Sequence, residues 1–340
     1  MNSRERVLAA LRRQEPDRVP YCEIGVDRVV VRQLLGGDPI ETPSLTVERR
    51  PYNAQEHKAI AAALRMDNIC YEIWPPVYAH KVPGKDGRLY YADGLIHSDA
   101  DLALVQLPDP YDDALYAGAR EFVSQKGEYA ACFVTRIGVF STMLSMGLEH
   151  FCMTLYDNPR LVEKLLGMYC DWTAVVAERA CRLDFDVFVS TDDLAFNIGP
   201  YFSPALFHNL VLPYHQRVAE KITLPWIMHT DGNVLPLMED ILSLGIAGLH
   251  PIEKGAMDIR GFKRDYGHRV CVLGNVDLNI LAMGTPDQVE REVRDLIRDL
   301  GPGGGYIVTS GNSLASYVRA ENALALSAAV QKYGKYPTQV

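Results

Sequence analysis

Eight short apolar stretches, each separated from the next by a segment of helical periodicity, constrain the fold of this chain most. They are residues 19–25, 68–74, 129–138, 186–193, 225–231, 248–253, 270–277 and 305–312. Helix-like segments stand at 29–35, 54–66, 113–125, 159–182, 204–222, 236–243, 259–266, 286–300 and 320–333. Strands that alternate with helices run parallel, because each helix carries the chain back across the sheet. Eight such units predict a closed barrel. A doubly wound sheet would carry a glycine-rich phosphate turn after an early strand. None is present, and Gly303, Gly304 and Gly305 precede their strand. Ser203, Thr285 and Asn158 each stand before a proline, the pattern of an N-cap with proline at the first helical position. The expected fold is α/β: one TIM-type (β/α)8 barrel over residues 1–340, with an N-terminal helical extension and a β-hairpin excursion at 79–98.

Composition narrows the partners. The chain has 340 residues, 48% of them hydrophobic, enough for a full core. With 43 acidic against 34 basic residues it carries a formal charge of -9, which argues against a nucleic-acid partner. No signal peptide and no membrane-length apolar run is visible. The seven cysteines form no C-x-x-C and lie mostly in apolar segments. They read as buried free thiols, so the expected location is the cytoplasm.

In a barrel of this kind the C-terminal strand ends build the site. Here those ends offer Glu23, Glu72, Arg136, Asp192 with Asp193, His229 with Asp231, His250 with Glu253, Asn275 with Asp277, and Ser310 with Asn312. Most polar residues at a strand end only cap turns. One of Asp192 and Asp193 is expected to do so while the other faces the pocket. His250 is balanced between packed core residue and ligand. His229 and Asp231 are stronger candidates, since alternation puts them on one face and Gly232 permits a tight turn. An imidazole beside a carboxylate is half of a metal site or an acid/base pair. His208 and His215, seven apart on one helix, are expected on one face, at a surface or an interface. Met143, Met146 and Met153 lie on one apolar helix and read as core.

Several motifs together resemble the uroporphyrinogen decarboxylase-like superfamily. They are the N-terminal run from Met1 to Leu11, Pro16-Asp-Arg-Val-Pro20, Asp192-Asp-Leu-Ala, Ser203-Pro-Ala-Leu-Phe, His229-Thr-Asp-Gly-Asn, Gly274-Asn-Val-Asp277, Gly304-Gly-Tyr-Ile and Glu321-Asn322. They run in order over nearly the whole chain. The resemblance implies a single TIM-like barrel. Decarboxylases of that superfamily grip their polycarboxylate substrate with an arginine-rich N-terminal loop, whereas residues 19–27 here are acidic and lack arginine.

The other branch holds corrinoid-linked methyltransferases. Members with thiol acceptors carry zinc on H-x-C and a later cysteine. The matching positions here read His229-Thr-Asp231 and Ser310-Gly-Asn312, so both sulfur ligands are replaced. What remains is a harder site of His229, Asp231 and Glu253, which zinc accepts. The expected reaction moves a methyl group from a small methoxyl- or methylamine-type donor to a corrinoid. No corrinoid-binding histidine motif is present, so cobalamin would come on a partner protein. Glu23, Asp193 and Asn312 are expected to orient the donor, with Tyr71, Tyr201 and Trp74 as an apolar wall. A mouth rich in acids and imidazole suits a neutral or cationic donor. Two alternatives stay open: a metal-free decarboxylase or lyase of a small acid, and a catalytically silent corrinoid-binding barrel. A homodimer is compatible with all three.

Overall fold

The computed structural model describes residues 1–37, 51–84 and 89–338. Its strands are β1 (Asn68–Glu72), β2 (Ala79–Pro83), β3 (Leu89–Gly94), β4 (Ala130–Thr135), β5 (Val187–Thr191), β6 (Ala195–Phe196), β7 (Gly199–Pro200), β8 (Trp226–His229), β9 (Gly248–His250), β10 (Cys271–Leu273) and β11 (Tyr306–Ile307). Seven of them form one sheet in the order β1-β4-β5-β8-β9-β10-β11. Every pairing in it is parallel. The architecture is therefore α/β, with helices carrying the chain between parallel strands.

The first expected strand lies between the two outer strands of this sheet. Val308 N–H donates to the Pro20 carbonyl, and Cys22 N–H to the Val308 carbonyl, both at 3.0 Å. On the other side Asp67 N–H donates to the Tyr21 carbonyl at 2.7 Å. The Asn68 side chain completes this seam, accepting from Glu23 N–H at 3.1 Å and donating to the Glu23 carbonyl at 2.8 Å. A side-chain amide thus replaces two rungs of the ladder, which is why 20–23 is bridged rather than a continuous strand.

Inside the curl of the sheet sits a small apolar layer. It contains Cys22, Cys70, Cys132, Val134, Val187, Val189, Ile227, Cys271, Leu273 and Ile307. Val7, Ala10 and Leu11 join it from the helix Ser3–Leu11, which plugs the end where the strands begin. The plug needs close approach: a Cβ on Gly248 would lie 2.7 Å from Leu273 Cδ1 and 3.2 Å from Leu11 Cδ2. Two buried carboxylates anchor it. Asp67 accepts from Arg6, Arg18, Ser3 Oγ and Tyr21 N–H. Asp186 accepts from Arg4, Lys126 and Ala131 N–H. The outward residues of the strands pack against the helices in the larger core.

β2 and β3 pair antiparallel within the span expected for a hairpin; its turn, at 85–88, lies outside the described residues. All seven cysteines are free. Among the described residues no helix is long and apolar enough to cross a membrane.

Ser203 and Thr285 cap their helices as expected, whereas Asn158 makes no side-chain cap bond. The expected pairing of His208 and His215 fails. His208 lies within a π-helical turn, Phe207–Val211, which rotates the helix face before His215. His208 is exposed beside Asp240, while His215 is fully buried, its ring edge-on to Phe207. Met143 and Met146 are core, but Met153 is 57% exposed.

Glu23 gives the seam a pH dependence. Its carboxylate is fully buried and accepts from Ser310 N–H at 2.9 Å and Ser310 Oγ–H at 2.6 Å. Burial pushes the carboxyl up from 4.5 to about 7, against the pull of the Ser310 bonds. Between these values the folded chain keeps a proton that the unfolded chain has released. Stability therefore falls as pH rises through this window, by about 3 kcal/mol from this group. Asp192, buried and pushed up to about 6, slopes the same way. Glu23→Gln removes only the first contribution. Urea midpoints measured at pH 5 and pH 8 should fall more for the parent than for Glu23→Gln; equal slopes would refute the assignment.

Candidate active site at the C-terminal strand ends

β8 ends at His229, and its inner-layer residue Ile227 fixes the alternation that turns His229 inward. The chain then turns through Gly232, whose φ of 84° suits glycine. A Cβ there would lie 2.4 Å from the Ala195 carbonyl oxygen, so the turn is seated on the β6–β7 hairpin. This turn carries Asp231 back over His229. Asp193 arrives from the end of β5.

Among the described residues, Asp193, His229 and Asp231 form the one group of potential metal ligands with donor atoms all within 4.8 Å of one another. His229 Nε2 stands 3.8 Å from Asp193 Oδ1 and 4.0 Å from Asp231 Oδ1. The carboxylates are held in place: Asp193 Oδ1 accepts from Asp231 N–H at 3.1 Å, and Asp231 Oδ2 from Asn312 Nδ2 at 2.6 Å. Asp231 Oδ1 is buried and has no hydrogen-bond partner. Burial, with Asp193 and Glu253 nearby, pushes the Asp231 carboxyl up to about 6, although His229 and Asn312 oppose this.

On its other side His229 Nδ1 meets His250 Nδ1 at 2.7 Å. Burial, reinforced by His229, holds the His250 imidazole well below its usual range, so it is neutral. When His229 Nδ1–H donates in this pair, its Nε2 lone pair faces the two carboxylates. That tautomer is the one a metal requires. Of the two readings open for His250, the structure supports the buried core residue: it backs His229 and is not in the close ligand group.

The other predicted residues divide. Glu253 accepts from Gly232 N–H at 2.7 Å and lines, with Asp231, Asn312, Asp277, Met283 and Tyr317, a cavity of about 820 Å³. It stands outside the close group, and Asp193 takes the place expected for it. Asn312 lines this cavity and also holds Asp231. Glu23 is sealed in the seam. Tyr71 points outward, because the inner residues of β1 are Asn68, Cys70 and Glu72; its ring packs 5.3 Å from Phe122 in the helical layer. Tyr201 does belong to the site: burial and the nearby Asp193, Asp231 and Glu253 charges raise its phenol, which stays protonated. Asp192 is the capping member of its pair. Its carboxylate accepts from the N–H groups of Ile137, Gly138 and Phe140, which leaves Asp193 to the pocket. The contribution of His250 was hidden, since partnership across two strands depends on register.

The family model for uroporphyrinogen decarboxylase (URO-D) matches residues 89–333. The uroporphyrinogen decarboxylase of Mannheimia succiniciproducens is 26% identical over 190 residues, 53% of this chain and 51% of that one. The chain thus spans about half the length of the first such relatives it matches. The uroporphyrinogen decarboxylase of Alkalilimnicola ehrlichii is 24% identical over 365 aligned positions, covering 96% of this chain and 93% of its own. Among solved structures, a methyltransferase from Methanosarcina mazei superposes with a TM-score of 0.73 at 19% identity, over 98% of this chain and 99% of that one. At that identity the likeness concerns the fold. The family match covers well over half of the sequence, and this chain belongs to the uroporphyrinogen decarboxylase (URO-D) family.

Proposed function

We propose that this protein transfers a methyl group from a small methoxyl- or methylamine-type donor to a corrinoid on a partner protein, with a zinc ion held by Asp193, His229 and Asp231. The carrying observation is the convergence of one imidazole and two carboxylates with an unpartnered, buried Asp231 Oδ1. The donor set fits zinc. Ligand atoms around a tetrahedral zinc lie about 3.3 Å apart; His229 Nε2 is 3.8 and 4.0 Å from the two carboxylates and the whole group lies within 4.8 Å, so side-chain adjustments of about 0.5–1.5 Å would close it on the ion. The same reading takes the fold as a (β/α)8 barrel closed by residues 20–23, with the N-terminal helix and the hairpin as additions.

Zinc held there would act as a Lewis acid on the donor heteroatom, which keeps the bonding electron pair as the methyl passes to the corrinoid's reduced cobalt. The chain's own groups prepare that event. His250 holds the His229 ring with Nε2 toward the carboxylates. Asn312 holds one oxygen of Asp231 and so aims the other inward. Asp231 N–H holds Asp193 Oδ1, the oxygen that faces His229 Nε2. Tyr201, kept protonated by burial and the neighbouring carboxylates, adds no charge to the mouth.

A second reading is favoured by Asp231, whose carboxyl is pushed up to about 6 beside an imidazole. That pair suits proton delivery to a carbanion, as in decarboxylation of a small acid. One experiment separates the two. The purified protein is assayed for zinc, then mixed with cob(I)alamin and a panel of methoxylated aromatics and methylated amines. Methyl transfer predicts bound zinc and the absorption change of methylcobalamin with at least one donor. Protein free of transition metal that releases carbon dioxide from a carboxylated substrate, with no methyl transfer, would overturn it.

A further inference from the structure

We propose that Arg136 receives a carboxylate of the substrate, so that the methyl donors of this enzyme carry a carboxylate as well as a methylated heteroatom. This deepens the methyl-transfer reading and rests on it for the nature of the donor.

Arg136 directly follows β4, whose inner-layer residues are Ala130, Cys132 and Val134. Alternation turns Arg136 to the same side, into the mouth. Its guanidinium lies 5.0 Å from the ring centroid of Trp74 and 5.2 Å from that of Phe140. Trp74 is 36% exposed. Its indole N–H donates to Glu72 at 2.9 Å, which fixes the ring. Two aromatic faces hold a guanidinium by cation–π attraction and define its plane.

What Arg136 lacks is an anion. Among the described residues it has no ion pair, and its Nε is buried without a hydrogen-bond partner. Two carboxylates stand near it, and both are engaged elsewhere: Asp192 accepts from the backbone N–H groups at 137, 138 and 140, and Glu72 accepts from the Trp74 indole. A positioned guanidinium with an unsatisfied donor matches a carboxylate in shape and charge, because its fork binds both oxygens.

Register places this group opposite the candidate metal site. Thr135 pairs with Ser190, Ser190 with Met228, and Thr191 with His229. One rung further, Arg136 stands level with Thr191 and His229. Two strand spacings, about 10 Å, separate the strands of Arg136 and His229. Among the described residues, the Arg136 guanidinium stands on the β1–β4 side, where the Glu72 carboxylate is tied to the Trp74 indole, and faces Asp193, Asp231 and Glu253 on the β5–β9 side. A carboxylate is repelled from the acidic side and drawn to Arg136. That fixes which end of a donor meets His229, Asp193 and Asp231. The expectation of a neutral or cationic donor holds only for the end that reacts.

The test uses matched pairs that differ by the carboxylate: para-methoxybenzoate against methoxybenzene, and glycine betaine against tetramethylammonium. Binding to the purified full-length chain is read by calorimetry and by tryptophan fluorescence. The carboxylated member of at least one pair should bind about ten- to a hundredfold more tightly. Arg136→Gln should bring that ratio to near one, and Arg136→Lys should restore part of it. Equal binding of both members, binding of neither, or a preference that persists in Arg136→Gln would overturn the proposal. The readout needs no turnover. An Arg136-dependent preference without methyl transfer would refute only the methyl-transfer reading, and methyl transfer without preference would refute only this inference.

Discussion

His229→Ala should lower methyl transfer by about a thousandfold or more and empty the metal site, while the chain stays folded. The imidazole is the one nitrogen donor of the close group, and no other histidine is placed to replace it: His250 is bound to its far side. Without it, two carboxylates within 4.8 Å of each other remain, a pair that holds a divalent ion weakly and repels itself when empty. A Lewis acid contributes several kcal/mol to the barrier, and about 4 kcal/mol corresponds to the thousandfold. Folding should suffer less, by about 1–3 kcal/mol, because the loss leaves His250 Nδ1 unpaired in a buried place. Asp231→Cys provides the contrast. It keeps an anionic donor at the position and softens it, so zinc should bind at least as tightly as in the parent. Elemental analysis and the corrin spectrum read both variants. A folded His229→Ala protein with full metal and parental turnover would remove the site from consideration.

How far the chain could be read beforehand depended on whether a feature is local. Strand cores and most helices are local, being set by apolar runs, periodicity and caps, and they lie where the pattern put them. Strand ends were read too long: the run to Asp231 stops as a strand at His229, because Gly232 turns the chain. The pair Val139–Met146 and Leu148–Asp157 was legible only as a single apolar helix, since the break is one glycine, Gly147 at φ 79°. His229 and Asp231 do meet, but through the turn at Gly232 rather than strand alternation, and the place of Asp193 beside them and of Glu253 just outside depends on neighbouring strands and loop geometry. The same limit applied to Tyr71. Its polar-aromatic character suits a mouth, yet its parity on β1 sends it to the helices. Arg136 shows the converse. Its parity was available in the sequence, but the absence of a partner carboxylate is a property of the assembled mouth.

Asp67→Ala should destabilise the protein by about 3–5 kcal/mol, although residue 67 lies at the opposite end of the strands from the site. Its carboxylate is fully buried and ties three parts of the chain together: the helix Ser3–Leu11, the segment 18–23 and the start of β1. Arg6 Nη1 approaches to 2.6 Å, Arg18 Nη2 to 2.8 Å, Ser3 Oγ to 2.9 Å and Tyr21 N to 2.9 Å. Removal strands Arg18 without a carboxylate and leaves Arg6 with Asp17 alone. Breaking a buried ion pair from one side costs this much because the remaining charge has no water to turn to. Tyr21 N–H also loses its acceptor, at the seam where residues 20–23 join β1. Asp67→Asn keeps the shape and part of the hydrogen bonding, so its loss should fall between the parent and Asp67→Ala. Loosening the seam also frees Glu23, which holds Ser310, two residues from the Asn312 that positions Asp231. Activity in Asp67→Ala should accordingly fail at a lower temperature than in the parent, and zinc should be lost more readily on warming. Urea unfolding followed by circular dichroism gives the measurement. A midpoint for Asp67→Ala equivalent to a change under 1 kcal/mol would mean that the plug is held by its apolar face alone and that these ion pairs contribute nothing to closing the sheet.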